Sequence, residues 1–313
     1  MNERTMIPGS YTFIARPTSG SCGRHRACTR RSRLGPASHI ILLNFPFWKF
    51  RLIMTRMAAL SETALREVFH LLFLERLFAV SSPSQYVLKG GVNLRFFFAS
   101  PRYSEDMDLD VLAGSVETLK KNGFKILEDK SLARAMQAFG VRAIQPNDRS
   151  KAKQTETTQR FRVRLVTNAG IELPTKIELS RRPPRQTYDV VTEAIPGERA
   201  RPYGRLGFVC PHYDGASAAL QKAHALVGRA TPQCRDVFDL YVLSLGGHAT
   251  RALFVERLST KLRSAARDVI DSLEHEAYVG QVVEFLEDEA RARYGSKQSW
   301  DEIRVTVLEL FDG

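Results

Sequence analysis

Cysteine is scarce in this 313-residue chain: Cys22, Cys28, Cys210 and Cys234 are its only four, and none forms a Cys-x-x-Cys pair. That excludes a disulfide framework, leaves a structural zinc site without support, and fits a reducing, cytoplasmic compartment. No Gly-x-Ser-x-Gly stretch and no convincing Cys/His pairing occur, so the chain offers no case for a Ser or Cys nucleophile. His212, His224 and His248 read as structural or surface groups. There is no internal repeat and no apolar run near the ~20 residues needed to span a bilayer, so no membrane partner is expected.

Acidic residues are almost missing from the first sixth of the chain. Residues 1–53 hold nine of the 46 Lys and Arg and one of the 34 Asp and Glu, a net of +8 out of the overall +12. The remaining 260 residues carry only +4, so high basicity alone is no argument for nucleic-acid binding. The only apolar run in that stretch, starting at Ile40, comes late, contains Pro46 and is followed by Lys49 and Arg51. That is the wrong form for a signal peptide. The Arg-rich, acid-poor bias would suit an organellar transit peptide, but nothing else points to one. Residues 1–56 are expected to be a disordered extension, or an over-called start upstream of Met54 or Met57.

The chain as a whole has ordinary globular composition, 43% apolar and 26% charged, enough for a sizeable core. Leu65, Val68, Phe69 and Leu72 recur at helical spacing behind Ser61, a candidate N-cap, and predict an amphipathic helix over 61–80. Ser81-Ser82-Pro83-Ser84 stops it. Tyr86 to Leu88 reads as a strand, Gly90-Gly91 as a turn, 92–98 as a helix ended by Pro101, and 107–112 as a strand. Residues 115–140 look helical. Phe161, Val163 and Leu165 alternate with Arg160, Arg162 and Arg164, and the turn at 168–170 leads into a second strand over 174–180, so the pair reads as a hairpin. From Gly215 every apolar pattern is helical: 216–228, 234–245, 252–273, 276–293 and 298–311. The expectation is an α+β protein, with a mixed α/β half over 57–213 and an all-helical half over 214–313.

One constellation carries chemistry. Leu88-Lys89-Gly90-Gly91 is followed by Arg102, Ser104 and then Asp106-Met107-Asp108-Leu109-Asp110. On a strand, residues two apart share a face, so the three aspartates project together. Their mutual repulsion, on the order of a kcal/mol per pair near a surface, is tolerated when a divalent cation sits among them. Aspartate oxygens suit Mg2+, which takes one or two carboxylates plus substrate phosphates. A strand that ends in Gly-Gly and opens a helix lets backbone N–H groups approach a phosphate closely. Either motif alone is more often a surface turn or a solvated acidic strand. Together, in this order, they supply the two parts that phosphoryl or nucleotidyl transfer needs.

These residues resemble the opening motif of the AbiEii/AbiGii-type nucleotidyltransferases, toxins of type IV toxin–antitoxin and abortive infection systems within the DNA polymerase β-like superfamily. That superfamily's signature is a hydrophobic-Gly-Gly/Ser turn followed by Asp-hydrophobic-Asp/Glu-hydrophobic. Fourteen residues separate Gly91 from Asp106, slightly long for the superfamily. The resemblance implies a polymerase β-like mixed-sheet domain whose active site is completed by the helical half. It makes Asp106 and Asp108 the metal ligands, with Asp110 in support. Lys176-Ile177-Glu178-Leu179-Ser180 is similar to the family's second motif and makes Glu178 the third carboxylate, against the alternative of a Lys–Glu surface pair. Lys222, Arg229, Arg235-Asp236 and Asp239 resemble its helical motif, which puts Lys222 on the triphosphate and Asp236 in the catalytic network. Two helices docked by ion pairs would use the same residues. Lys89, Gly90, Gly91, Arg102, Ser104 and Arg229 complete the implied nucleotide-binding set.

The implied activity is magnesium-dependent transfer of a nucleoside monophosphate from an NTP to an RNA acceptor, with tRNA as the lead guess and a cognate antitoxin as partner. Transfer to a protein hydroxyl and a non-catalytic NTP-binding module are the alternatives. The Arg160, Arg162 and Arg164 face has two readings of its own. It is either an RNA-phosphate stripe or, more commonly for such a pattern, the solvent side of a hairpin.

Overall fold

The computed structural model describes residues 60–149, 154–181 and 188–313. The expectation of an N-terminal extension over 1–56 lies outside the described residues.

Helix α1 spans Glu62–Val80 and starts where the sequence predicts, with Ser61 Oγ accepting from the Ala64 N–H at 3.2 Å. It is not simply amphipathic. Besides Leu65, Val68, Phe69 and Leu72 it buries Arg66, Glu67 and His70, because other elements cover it on several sides. Strand β1 (Tyr86–Lys89) runs directly into helix α2 (Gly90–Phe97), and β2 (Asp106–Val111) returns antiparallel beside β1. The single helix expected over 115–140 is two, α3 (Val116–Leu127) and α4 (Lys130–Gln137). The Asp129 carboxylate caps the Ser131 N–H at 2.7 Å and restarts the helix there.

A mixed sheet follows from β3 (Val141–Pro146), β4 (Gln154–Thr155), β5 (Thr158–Thr167), β6 (Glu172–Ser180), β7 (Val190–Ala194) and β8 (Val209–Tyr213). Its order is β3-β5-β6-β2-β1-β8-β7, with β4 paired to β5. The predicted hairpin is β5–β6. Strand β6 pairs parallel with β2, and β1 pairs parallel with β8. The period of two decides which face does what. Met107, Leu109, Phe161, Val163, Leu165, Ile177 and Leu179 point into a core shared with α1, α3 and α4. Asp106, Asp108, Asp110, Arg160, Arg162, Lys176 and Glu178 occupy the alternate positions and so lie on the opposite face.

Beyond β8 the described chain is helical: α6 (Gly215–Gly228), α7 (Cys234–Leu245), α8 (Arg251–Arg257), α9 (Thr260–Ser272), α10 (His275–Gln281), α11 (Asp288–Tyr294) and α12 (Lys297–Leu310), after the short α5 (Gly197–Ala200). Ser259 caps the Leu262 N–H and divides the predicted 252–273 helix. The predicted 276–293 helix breaks because residues 285–287 pair with the 101–103 loop instead: the Tyr103 N–H donates to the Phe285 carbonyl at 2.8 Å, and that of Glu287 to the Pro101 carbonyl at 3.1 Å. These helices bury a second apolar cluster around Phe238, Tyr278 and Trp300, which Leu94 of α2 joins from the sheet half. Among the described residues no helix is long and apolar enough to cross a membrane.

His70 reports on how dry the first core is. The Thr175 hydroxyl donates to the Glu105 carbonyl at 2.6 Å and so accepts from His70 Nε2 at 2.8 Å. Burial, reinforced by the Arg66 charge, pushes the imidazole pKa down to about 3. The unfolded chain binds a proton below about 6.5 that the folded chain refuses. Stability is therefore lost as pH falls from that value towards 3, by up to about 1.4 kcal/mol per pH unit. His70→Gln keeps a donor for Thr175 and removes the titration. Urea unfolding at pH 7 and pH 4.5 should show a smaller acid loss for the variant, and equal losses would contradict this account.

Candidate active site

The register of four strands assembles the polar face in rows. Lys89 on β1 lies opposite Asp108 on β2, Asp108 opposite Glu178 on β6, and Glu178 opposite Arg160 on β5. The next row is Asp106, Lys176 and Arg162. Each outer aspartate has a lysine: Lys176 Nζ lies 2.9 Å from Asp106 Oδ2, and Lys89 Nζ 2.5 Å from Asp110 Oδ1. The Tyr213 hydroxyl donates to the other Asp110 oxygen at 2.7 Å. Asp108, between them, makes no ion pair among the described residues. Burial pushes its carboxyl above the ordinary range. The Lys176 and Lys89 charges pull it back, while Glu178 and Asp106 push it further up.

The two glycines allow this packing. Gly90 opens α2 with φ of +69°, and a Cβ there would lie 3.2 Å from Asp108 Oδ2. A Cβ on Gly91 would come 2.6 Å from Ser104 Oγ and 3.2 Å from Arg102 Nη2. Only glycine lets the turn sit against the carboxylate and the returning loop together. Ser104 Oγ itself donates to the Asp106 carbonyl at 2.8 Å, closing the entry to β2.

The helical half supplies the opposing wall. Asp236 and Asp239, one turn apart on α7, are both fully buried. Lys222 of α6 bridges them, at 3.1 Å from Asp236 Oδ1 and 2.6 Å from Asp239 Oδ2. Arg229 Nε lies 2.7 Å from the remaining Asp236 oxygen. Burial opposes charge on Asp236, but Lys222 and Arg229 outweigh it and hold its carboxyl below the usual range. Arg102 grips Asp239, with Nη2 2.9 Å from each oxygen and Nε 3.1 Å from Oδ1.

Between the two halves lies a recess of about 610 Å³ lined by Lys89, Gly90, Asp108, Asp110, Glu178, Ser180, Tyr188, Gln221, Lys222, His224 and Arg229. Six of the predicted site residues, Lys89, Gly90, Asp108, Glu178, Lys222 and Arg229, thus meet around one cavity. Asp106 lines a neighbouring recess of about 510 Å³. Gly91, Arg102, Ser104 and Asp236 line neither. Gly91 and Ser104 shape the turn, and Asp236 and Arg102 are occupied by the ion pairs just described. Sequence reasoning did not single out Tyr188, Gln221 or Tyr213, named Ser180 only as the last residue of the second motif, and placed His224 among structural or surface groups. Gln221 stands one residue before Lys222 and one turn before Ala225, on the side of α6 that lines the recess. Tyr188 and Tyr213 carry no such local signal.

The family model described as nucleotidyl transferase AbiEii toxin, type IV toxin–antitoxin system, matches residues 72–309. The chain belongs to this family. It is a nucleotidyltransferase with the α+β architecture expected from the sequence, and the match spans both the carboxylate strands and the helical wall. Solved structures with a similar course include JHP933 from Helicobacter pylori, at 18% identity and a TM-score of 0.44 over 81% of this chain and 95% of that one. MenT4, the nucleotidyltransferase toxin Rv2826c of Mycobacterium tuberculosis H37Rv, is 18% identical with a TM-score of 0.46, over 83% of this chain and 87% of that one. No curated protein matches the chain.

Breaking one partner of a buried ion pair strands a charge and costs about 3–5 kcal/mol. Arg102→Met should lower unfolding stability by that order. Because Arg102 and Asp239 act together, Arg102→Met/Asp239→Asn should lose less than the sum of the two single variants, measured by urea denaturation of all four proteins. Additive losses would mean the pair does not couple the halves.

Proposed function

We propose that the chain transfers a nucleoside monophosphate from an NTP to an RNA acceptor in the presence of Mg2+. The observation that carries this reading is the single recess into which the Gly90 turn, the Asp108 and Glu178 carboxylates and the Lys222 and Arg229 cations all open.

The donor set suits a hard divalent cation. Asp106 and Asp108 share a strand face, and Asp108 is a carboxyl pushed up by burial that makes no ion pair among the described residues. Among the described residues no three His, Cys, Asp or Glu side chains are grouped as a complete metal cage. Two carboxylates supplemented by substrate phosphates is the arrangement Mg2+ prefers. When bound, the cation would neutralise phosphate charge and orient the triphosphate.

The protein's own groups account for the remainder. Backbone N–H groups at Gly90 and Gly91 open a helix towards phosphate oxygens. Lys222 and Arg229 stand on the opposite wall to offset the charge that develops on the leaving pyrophosphate. Both Arg160 contacts to Glu178 use Oε2, at 2.8 and 2.7 Å, which leaves Oε1 for the acceptor. In the transfer step the acceptor hydroxyl oxygen bonds to the α-phosphorus and its proton passes to Glu178. The bond from the α-phosphorus to the bridging oxygen breaks, and pyrophosphate departs with that electron pair. Asp236 acts from behind, holding Lys222 and Arg229 in place.

Membership of a toxin family of type IV systems supports an NTP substrate and a cognate antitoxin. The resemblance read from the sequence makes tRNA the lead acceptor and the cytoplasm the place of action.

The experiment incubates purified protein with Mg2+, each α-labelled NTP in turn, and total tRNA or lysate protein. Label on RNA is expected from wild type, with a loss of at least about a thousandfold in Asp106→Ala/Asp108→Ala. Label on a protein band instead would replace the RNA acceptor by a protein hydroxyl. NTP binding without transfer to either would reduce the chain to a binding module.

A further inference from the structure

We infer that the sheet face beside the carboxylates that the described residues leave uncovered is the seat of the acceptor's phosphodiester backbone, with Arg162 as its positioning residue. The inference rests on the RNA-acceptor reading above and says where that acceptor lies.

The polar face of the sheet is divided. Its β1–β2 end is walled by α6 through the recess that holds Lys222 and Arg229. Its β6–β5–β3 end opens into the second recess, of about 510 Å³, lined by Asp106, Lys176, Arg162, Arg164, Gln145 and Asn147 among others. The two recesses share two strands: β2 contributes Asp108 to the first and Asp106, two residues earlier on the same face, to the second, and β6 contributes Glu178 to the first and Lys176 to the second. A chain lying across β5 and β6 therefore reaches Asp106 at its end, beside the position of the transfer.

The three arginines that alternate along β5 have different employment. Arg160 is held on Glu178. Arg164 forms an exposed pair with Glu172 at 3.3 Å, of a kind that contributes little. Arg162 is exposed, and its guanidinium has no partner among the described residues. Its backbone, in contrast, is fixed twice: its N–H donates to Asn147 Oδ1 at 3.2 Å, and its carbonyl accepts from the Asn147 N–H at 2.9 Å. A free cation on a pinned strand is suited to a ligand anion. Arg162 and Arg164 lie about 6.7 Å apart along the strand, of the order of one nucleotide step, and Lys176 stands across from Arg162. The lining cations outnumber the lining carboxylates, Glu105 and Asp106, by three to two. Two arginines at successive same-face positions of β5, with Lys176 across from Arg162, match the repeating charge of a phosphodiester chain.

The test compares wild type with Arg162→Ala, Arg162→Lys and, as a charge-matched control on the far C-terminal helix, Lys297→Ala. In the transfer assay, Arg162→Ala should raise the KM for RNA about tenfold, leaving the KM for NTP unchanged. Arg162→Lys should recover part of the loss, and Lys297→Ala should match wild type. In a direct titration with a labelled single-stranded RNA, the slope of log affinity against log salt should shrink by about one phosphate contact for Arg162→Ala. If wild type labels RNA and Arg162→Ala behaves identically, the platform is wrong while the transferase reading stands. If wild type labels no RNA, that reading fails by itself and the titration decides: a reduced salt slope in the variant keeps the platform, whereas no RNA binding or an unchanged slope overturns it.

Discussion

Two carboxylates with no exposure to solvent, Asp236 and Asp239, are the constraint around which this molecule is arranged. An isolated charge so deeply buried would neutralise or unfold its surroundings. Here three cations from three segments converge on the pair: Lys222 from α6, Arg229 from just beyond it, and Arg102 from the loop between α2 and β2. The geometry that satisfies them fixes α6 against α7 and draws the Arg102 loop onto the helical half. That loop is the same one whose backbone pairs with residues 285–287. A neighbouring network works in the same sense. Arg95 of α2 holds Glu67 of α1 and lies 2.6 Å from Glu287, while the Tyr203 hydroxyl donates to Glu67 at 2.6 Å. Buried ion pairs give little net stability, but they tolerate few alternative arrangements. The recess between sheet and helices is defined because these pairs leave few ways to close it.

Much of the candidate site was legible because its residues obey the two periods that sequence reveals directly. Asp106, Asp108 and Asp110 share a face by alternation, Glu178 falls on the second strand of a hairpin marked by its turn, and Arg229 follows Lys222 by seven residues, just past the end of its helix. What alternation cannot supply is partnership across the sheet. It does not tell that Lys176 would neutralise Asp106, that Arg160 would hold Glu178, or that the parallel pairing of β2 with β6 would bring Asp108 and Glu178 into one row. Arg102 shows the limit most clearly. Beside the Gly-Gly turn it looks like a phosphate ligand, yet its partner, Asp239, lies 137 residues away.

The fold was legible to a similar depth, and its misreadings have physical causes. Strand β8 (VCPHY) has no alternation, because four of its five residues are buried between β1 and β7, and it carries a proline. The helices expected over 115–140 and 252–273 were divided by caps at Asp129 and Ser259. Apolar spacing continues across both caps, so the period hides the break. The long helix expected over 276–293 was interrupted by backbone pairing with the 101–103 loop, a tertiary demand that overrides local propensity.

The electrostatics of the strand β2 aspartates follow from the same arrangement. Lys89 and Lys176 take the outer two, and neither approaches the third within ion-pair distance. Adding a third lysine would satisfy Asp108 but fill the space where the Gly90 turn faces the carboxylate. The cost of leaving it unpaired is a carboxyl pushed towards its neutral form by burial and by Glu178 and Asp106. A group so placed has more to gain from an arriving cation than either flanking aspartate, whose charge is already answered. Two paired carboxylates beside one unpaired one make Asp108 the group on this strand most responsive to an added positive charge, while the two lysines lower the repulsion among the three.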